Sequence, residues 1–93
     1  MSGTRAVTVL LEEHLITLTR AVGLIRRRNF PVHSLAVGPT DTPGVSRLTI
    51  MMQSDEATAE RAVQHLQKII GVRDATAIPS GEANAASAPG PSA

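Results

Sequence analysis

The residues able to do chemistry in this chain are few, and their spacing limits what they can do. His14, His33 and His65 fall in three separate stretches of sequence, with no H-x-x-x-H pair and no carboxylate at the spacing of a catalytic motif. Surface or interface histidines account for them better than metal ligands or general bases. The chain has no cysteine and no tyrosine, and Lys68 is its single lysine. Thiolate nucleophiles, disulfides, iron–sulfur clusters and thiolate zinc sites are therefore excluded. Glu12 and Glu13 are adjacent at the end of an apolar run, where successive side chains point apart, so they are loop carboxylates rather than an acid–base pair.

The densest charge is basic: Arg20, Arg26, Arg27 and Arg28. Arginine forks suit phosphate, but a helix C-terminus also selects cations, and one aromatic residue (Phe30) cannot build a base-stacking platform. A net charge of +1 over 93 residues gives no whole-domain footprint for nucleic acid or anionic lipid. Gly38 and Gly44 flank a loop and not a strand-to-helix turn, so neither phosphate-binding glycine fingerprint is present. No partner among nucleic acids or membranes is expected, and no metal or cofactor on this chain.

These residues must be held by elements built almost wholly from Val, Ile, Leu, Met and Ala. Arg5 to Leu11 reads as a buried strand, apolar and rich in β-branched residues. Leu15, Leu18, Val22 and Ile25 then recur at helical spacing. Three arginines, Asn29 and Pro31 close that helix, by the macrodipole, a left-handed cap and the missing proline N–H. Val32 to Val37 is a second strand, and the turn formers from Gly38 to Gly44 join it to a third, Val45 to Met52, in a hairpin. In the third strand Leu48, Ile50 and Met52 alternate with Arg47, Thr49 and Met51. Ser54 is the expected N-cap of a second helix, whose stripe Ala59, Ala62, Val63, Leu66, Ile69 and Ile70 ends at Gly71. Val72 to Pro79 is a weaker strand, expected at a sheet edge.

The order βαββαβ defines an α+β, ferredoxin-like unit: a four-stranded antiparallel sheet with two helices on one face. Residues 1–4 form a lead, 5–79 the domain, and 80–93 an Ala/Pro/Ser/Gly tail without large apolar side chains, expected to be disordered. A core this small favours association with a second copy or another protein. The lack of cysteine, of a signal-like leader and of an apolar run near ~20 residues makes the cytoplasm the expected compartment.

The second hairpin carries a resemblance. Ser34-Leu-Ala-Val-Gly-Pro-Thr40, Pro43-Gly44 and Ser46-Arg47-Leu-Thr-Ile50 resemble the ACT domain of the regulatory (small) subunit of acetolactate synthase, also called acetohydroxyacid synthase. His65-Leu66-Gln67-Lys68-Ile69-Ile70-Gly71-Val72 and Val7-Thr-Val-Leu-Leu-Glu12 extend it over about residues 5–78. The resemblance implies an ACT fold that pairs its sheets in homodimers. It also implies a non-catalytic subunit that activates a catalytic partner carrying thiamine diphosphate, magnesium and FAD, and confers inhibition by valine. Valine-responsive members read N-x-x-G-x-L at the first loop, where this chain has Glu13-His14-Leu15-Ile16-Thr17-Leu18, and G-[YF]-N-I where it has Asn29-Phe30-Pro31-Val32.

The degenerate amino-acid site is thus Glu13, His14, Ile16, Asn29 and Pro31. Ile16 is not expected to take positive φ as a glycine would, and Pro31 offers no N–H or side-chain amide. Arg20-Ala21-Val22 and Arg26-x-Arg28-x-Phe30-x-Val32-x-Ser34 are similar to the short small subunit of the valine-insensitive isozyme. Arg20, Arg26, Arg28, Asp41 and Arg47 are the expected partner contacts, since they are polar, protruding and unnecessary to the core. The alternative is a stand-alone ACT sensor in which Glu13 and His14 meet a different amino acid or small ligand. A scaffold for another thiamine enzyme is a third reading.

Overall fold

The computed structural model describes residues 3–79, so the tail at 80–93 lies outside the described residues. Six elements follow in order: β1 (Gly3–Glu12), α1 (His14–Arg28), β2 (Val32–Pro39), β3 (Val45–Ser54), α2 (Glu56–Leu66) and β4 (Val72–Pro79). The strands make one antiparallel sheet in the order β2-β3-β1-β4. Both helices pack on one face of it, around a core that includes Val7, Val9, Leu48, Ile50, Ala62 and Leu66. The α+β, ferredoxin-like arrangement is therefore the one the sequence pattern implies. No helix among the described residues is long and apolar enough to cross a membrane.

β1 is central, between β3 and β4. Val7 and Val9 lie opposite Ile50 and Leu48 on the helix-covered face, while Ala6, between Met51 and Ile78 on the other face, is equally inaccessible. The strand is longer at both ends than Arg5 to Leu11. β4 is an edge, as its weak pattern implies, and β2 is the other.

Three local expectations are corrected. The core face of α1 is Thr17, Ala21, Leu24 and Ile25, whereas Leu15 is 71% exposed and Val22 37%. The helix is rotated because its first turns approach the α2–β4 turn very closely. A Cβ built on Gly71 would collide with Thr17 Oγ1 and come 3.1 Å from its Cγ2, so at this point the helix and the turn leave no room for a larger residue.

The N-cap of α2 is Asp55 and not Ser54. Ser54 is consumed by the sheet, opposite Gly3, while Asp55 is extended and accepts a hydrogen bond from Thr58 N at 2.9 Å. That bond, made to the ionised form, holds the Asp55 carboxyl below its ordinary value of 3.8. Finally, α2 stops at Leu66, and Ile70 is 80% exposed in the turn that follows. Gly71, at φ +100°, shapes the entry to β4, where its carbonyl accepts from Glu12 N at 2.7 Å.

Candidate functional site

Several polar groups, Glu12, Glu13, His14, Thr40, Ser46 and Arg73, meet at the end of the sheet where β1 meets α1. The chain reverses there through Glu13, which holds a left-handed backbone (φ 52°, ψ 60°) at the N-cap of α1 and makes no side-chain capping bond. The helix starts at once. Ile16 consequently lies in the first turn with helical geometry, half exposed. The positive φ of this turn falls on Glu13 and not on Ile16.

His14 Nδ1 and Ser46 Oγ are 2.9 Å apart, fastening the helix start to β3. Glu12 pairs with Arg73 of β4 at 3.4 Å, both side chains about half exposed. Over this end curls the β2–β3 loop, rigid because Thr40 Oγ1 donates to the Val45 carbonyl at 2.8 Å and accepts from Thr42 N at 3.1 Å. A concavity of about 670 Å³ lies between them, walled by Glu12, Glu13, His14, Ser46, Thr40 and Arg73. A second, of about 400 Å³, opens on the helix-free face of the sheet beside Leu10, Asp41, Arg47 and Asp74.

The five residues expected at an amino-acid site do not converge within one chain. Glu13, His14 and Ile16 stand at the start of α1, and Asn29 and Pro31 follow its end, a helix length of about 22 Å away. Asn29 has the left-handed cap conformation its position implies (φ 57°). The expected partner contacts are likewise spread over the surface. Arg20 Nη1 donates to the Ile70 carbonyl at 3.1 Å on the α2 side of α1, and Arg28 lies near His65 of α2. Arg26 is on the opposite flank of α1 by helical periodicity, and Asp41 and Arg47 are at the loop end.

No group of three His, Cys, Asp or Glu placed to hold a metal occurs among the described residues. Ser46 and Arg73 were invisible to pattern reading because strand register, not local sequence, brings them to His14 and Glu12. The Thr40-x-Thr42 spacing ahead of Pro43-Gly44 was the available signal for a self-bonded loop.

Strand order, helix placement and this polar strand–helix junction together define an ACT-type domain. The same fold occurs in the ACT domain of a GTP pyrophosphokinase from Chlorobium tepidum, with a TM-score of 0.70 at 13% identity over 84% of this chain and 100% of that one. Residues 8–74 match the AHAS small subunit-like ACT domain, and the chain belongs to that family. It is 40% identical over 68 residues to the acetolactate synthase isozyme 3 small subunit of Escherichia coli K12, covering 73% of this chain and 42% of the relative. The acetolactate synthase small subunit of Thermotoga maritima superposes with a TM-score of 0.75 at 31% identity, over 81% of this chain and 47% of that one. The chain spans less than half the length of these two small subunits.

Proposed function

We propose that the chain is a non-catalytic regulatory small subunit of acetolactate synthase, acting in the cytoplasm, that binds and activates the thiamine-diphosphate-dependent catalytic subunit without responding to valine. Family membership over residues 8–74 carries the first part. Activation is then a population shift, in which the subunit binds one arrangement of its partner better than the others. Magnesium and FAD belong with thiamine diphosphate on that partner.

The altered ligand positions carry the second part. Pro31 is exposed and has no N–H to donate, Glu13 spends its conformational freedom on the left-handed turn, and Ile16 crowds the first helical turn. A homodimer belongs to this reading. Leu35 and Val37, each 44% exposed, sit on the unpaired edge strand β2 in register with Ile50 and Leu48. The flank of α1 bearing Leu15, Leu18 and Val22 continues the same apolar surface. Pairing of two β2 edges antiparallel sets the start of one α1 beside the end of the other, which brings Glu13 and His14 near the second copy's Pro31.

Co-purification with the catalytic subunit tests the partnership. Titration calorimetry of valine into the purified chain tests insensitivity, and valine binding at micromolar strength overturns that part. A second reading, a stand-alone sensor of another amino acid, is favoured by one observation: the concavity beside His14 offers acidic Glu12 and Glu13 together with basic Arg73. A thermal-shift screen of the amino acids separates the two, because a ligand binding the folded state must raise its melting temperature.

A further inference from the structure

The two halves of α1 are held in different ways. Ala21, Leu24 and Ile25 anchor the second half in the core, whereas between His14 and Arg20 only Thr17 is buried, with Leu18 partly so. The first half is secured by polar ties instead. His14 is fastened to Ser46 of β3, Glu12 N, on the strand leading into the helix, donates to the Gly71 carbonyl at 2.7 Å, and Arg20 Nη1 donates to the Ile70 carbonyl at 3.1 Å. Two of those three ties end on the α2–β4 turn. A segment held by hydrogen bonds near the surface, with few buried apolar side chains, opens more readily than the core.

Two unfavourable features meet at this seat. Glu13 holds a left-handed backbone (φ 52°), which disfavours any residue with a Cβ, and Thr17 Oγ1 is fully buried with no hydrogen-bond partner among the described residues. Thr19, two residues on, shows what a threonine hydroxyl does on this helix when it is free to turn. It donates to the carbonyl four residues earlier, that of Leu15, at 2.8 Å. Thr17 Oγ1 instead points into the space that a Cβ on Gly71 would occupy. The carbonyl four residues before Thr17, that of Glu13, accepts the Thr17 N–H at 3.1 Å and has a second lone pair to offer. Local conflicts gathered at one junction of an otherwise consistent fold mark an element with a second position.

We propose that the first turns of α1 are a two-position element, seated on Gly71 in this structure and lifted from it in a minor state in which Thr17 Oγ1 donates to the Glu13 carbonyl. Because Glu12 and Arg20 bond to the Gly71 and Ile70 carbonyls, the helix start and the α2–β4 turn change position together. The junction thereby joins the end of the sheet bearing Glu13 and His14 to the turn that presents Ile70. This movement needs neither a catalytic partner nor an amino acid, so it stands or falls independently of the small-subunit reading.

NMR relaxation dispersion on the backbone amides of the full 93-residue chain tests it, since that measurement detects a minor state of about 0.1–10% exchanging in microseconds to milliseconds. The expected result is exchange at residues 14–20 and 70–73 with one shared rate and population, and none at Leu48 and Ile50 of β3. Thr17→Val keeps the shape of the side chain and removes the hydroxyl, and should lower the minor population at least about fivefold. Thr17→Ser keeps the hydroxyl and should keep the exchange. Gly71→Ala crowds the seat, and should move the amide shifts of both segments in the direction opposite to Thr17→Val; should that variant not fold, the valine and serine variants decide. Absence of exchange in either segment, different rates in the two, or exchange that Thr17→Val leaves unchanged overturns the proposal. Exchange that grows with protein concentration belongs to self-association and overturns it as well.

Discussion

Thr17 and Gly71 provide a quantitative test of how α1 is seated. Thr17 is completely inaccessible, and its Oγ1 has no hydrogen-bond partner among the described residues. An unsatisfied buried hydroxyl costs about 1–3 kcal/mol. Replacing Thr17 by Ala removes that cost and improves helix propensity by about 0.5 kcal/mol, while loss of the buried methyl group costs about 1 kcal/mol. The balance predicts that Thr17→Ala raises stability by about 0.5–2.5 kcal/mol, or several degrees in Tm for a domain of this size. Gly71→Ala acts in the opposite sense, since φ +100° strains any Cβ and that Cβ collides with Thr17 Oγ1; the cost should reach about 3 kcal/mol.

The two changes must also be coupled. With Thr17 shortened to Ala, both Oγ1 and Cγ2 are gone, leaving mostly the backbone strain of the Gly71→Ala change, so the double variant should recover at least about 1 kcal/mol over additivity. Urea unfolding of the four proteins followed by circular dichroism measures the cycle. A Thr17→Ala variant less stable than the parent by about 1 kcal/mol or more, or a strictly additive cycle, refutes the reasoning.

Other consequences follow from single residues. Glu13→Asn should stabilise the fold by about 0.5–1 kcal/mol, because asparagine tolerates the left-handed backbone and can cap α1; an unchanged urea midpoint contradicts this. His65 has a folded pKa below 6.5, so the unfolded chain binds its proton more readily. Stability is complete above that pH and declines as pH falls through it, and His65→Gln should flatten the melting profile between about pH 7 and pH 5. Asp55, lowered from 3.8, loses its contribution only as pH falls through and below that value, and Asp55→Ala should remove this acid limb along with the cap. Leu35→Asp with Val37→Asp should weaken self-association by about 100-fold or more in sedimentation, since pairing of the β2 edges would bury carboxylates without partners.

The order of strands and helices along the chain, the edge position of β4 and the left-handed cap at Asn29 were legible because each is local: alternating periods, a weak pattern, a helix ending before proline. The facing of α1 was not. Periodicity identified Leu15, Leu18, Val22 and Ile25 as one stripe, yet a close contact between Thr17 and Gly71, more than fifty residues away, turns Thr17 inward and leaves part of that stripe outside. Ser54 and Asp55 both suit an N-cap by type, and only the pairing of Ser54 with Gly3 decides between them. At the candidate site, Glu13 and His14 come from the resemblance to the family's first loop, whereas their companions Ser46 and Arg73 arrive through strand register. The separation of Asn29 and Pro31 from Glu13 is the plain length of a fifteen-residue helix, which keeps the five residues from meeting within one chain.

The central claim is activation without valine sensing. Its most direct measurement is the rate of acetolactate formation by the catalytic subunit of the same genome, titrated with this chain in the absence and presence of millimolar valine. The account predicts a saturable rise in rate that valine leaves unchanged. A rate indifferent to the chain, or an activated rate that valine suppresses, contradicts it.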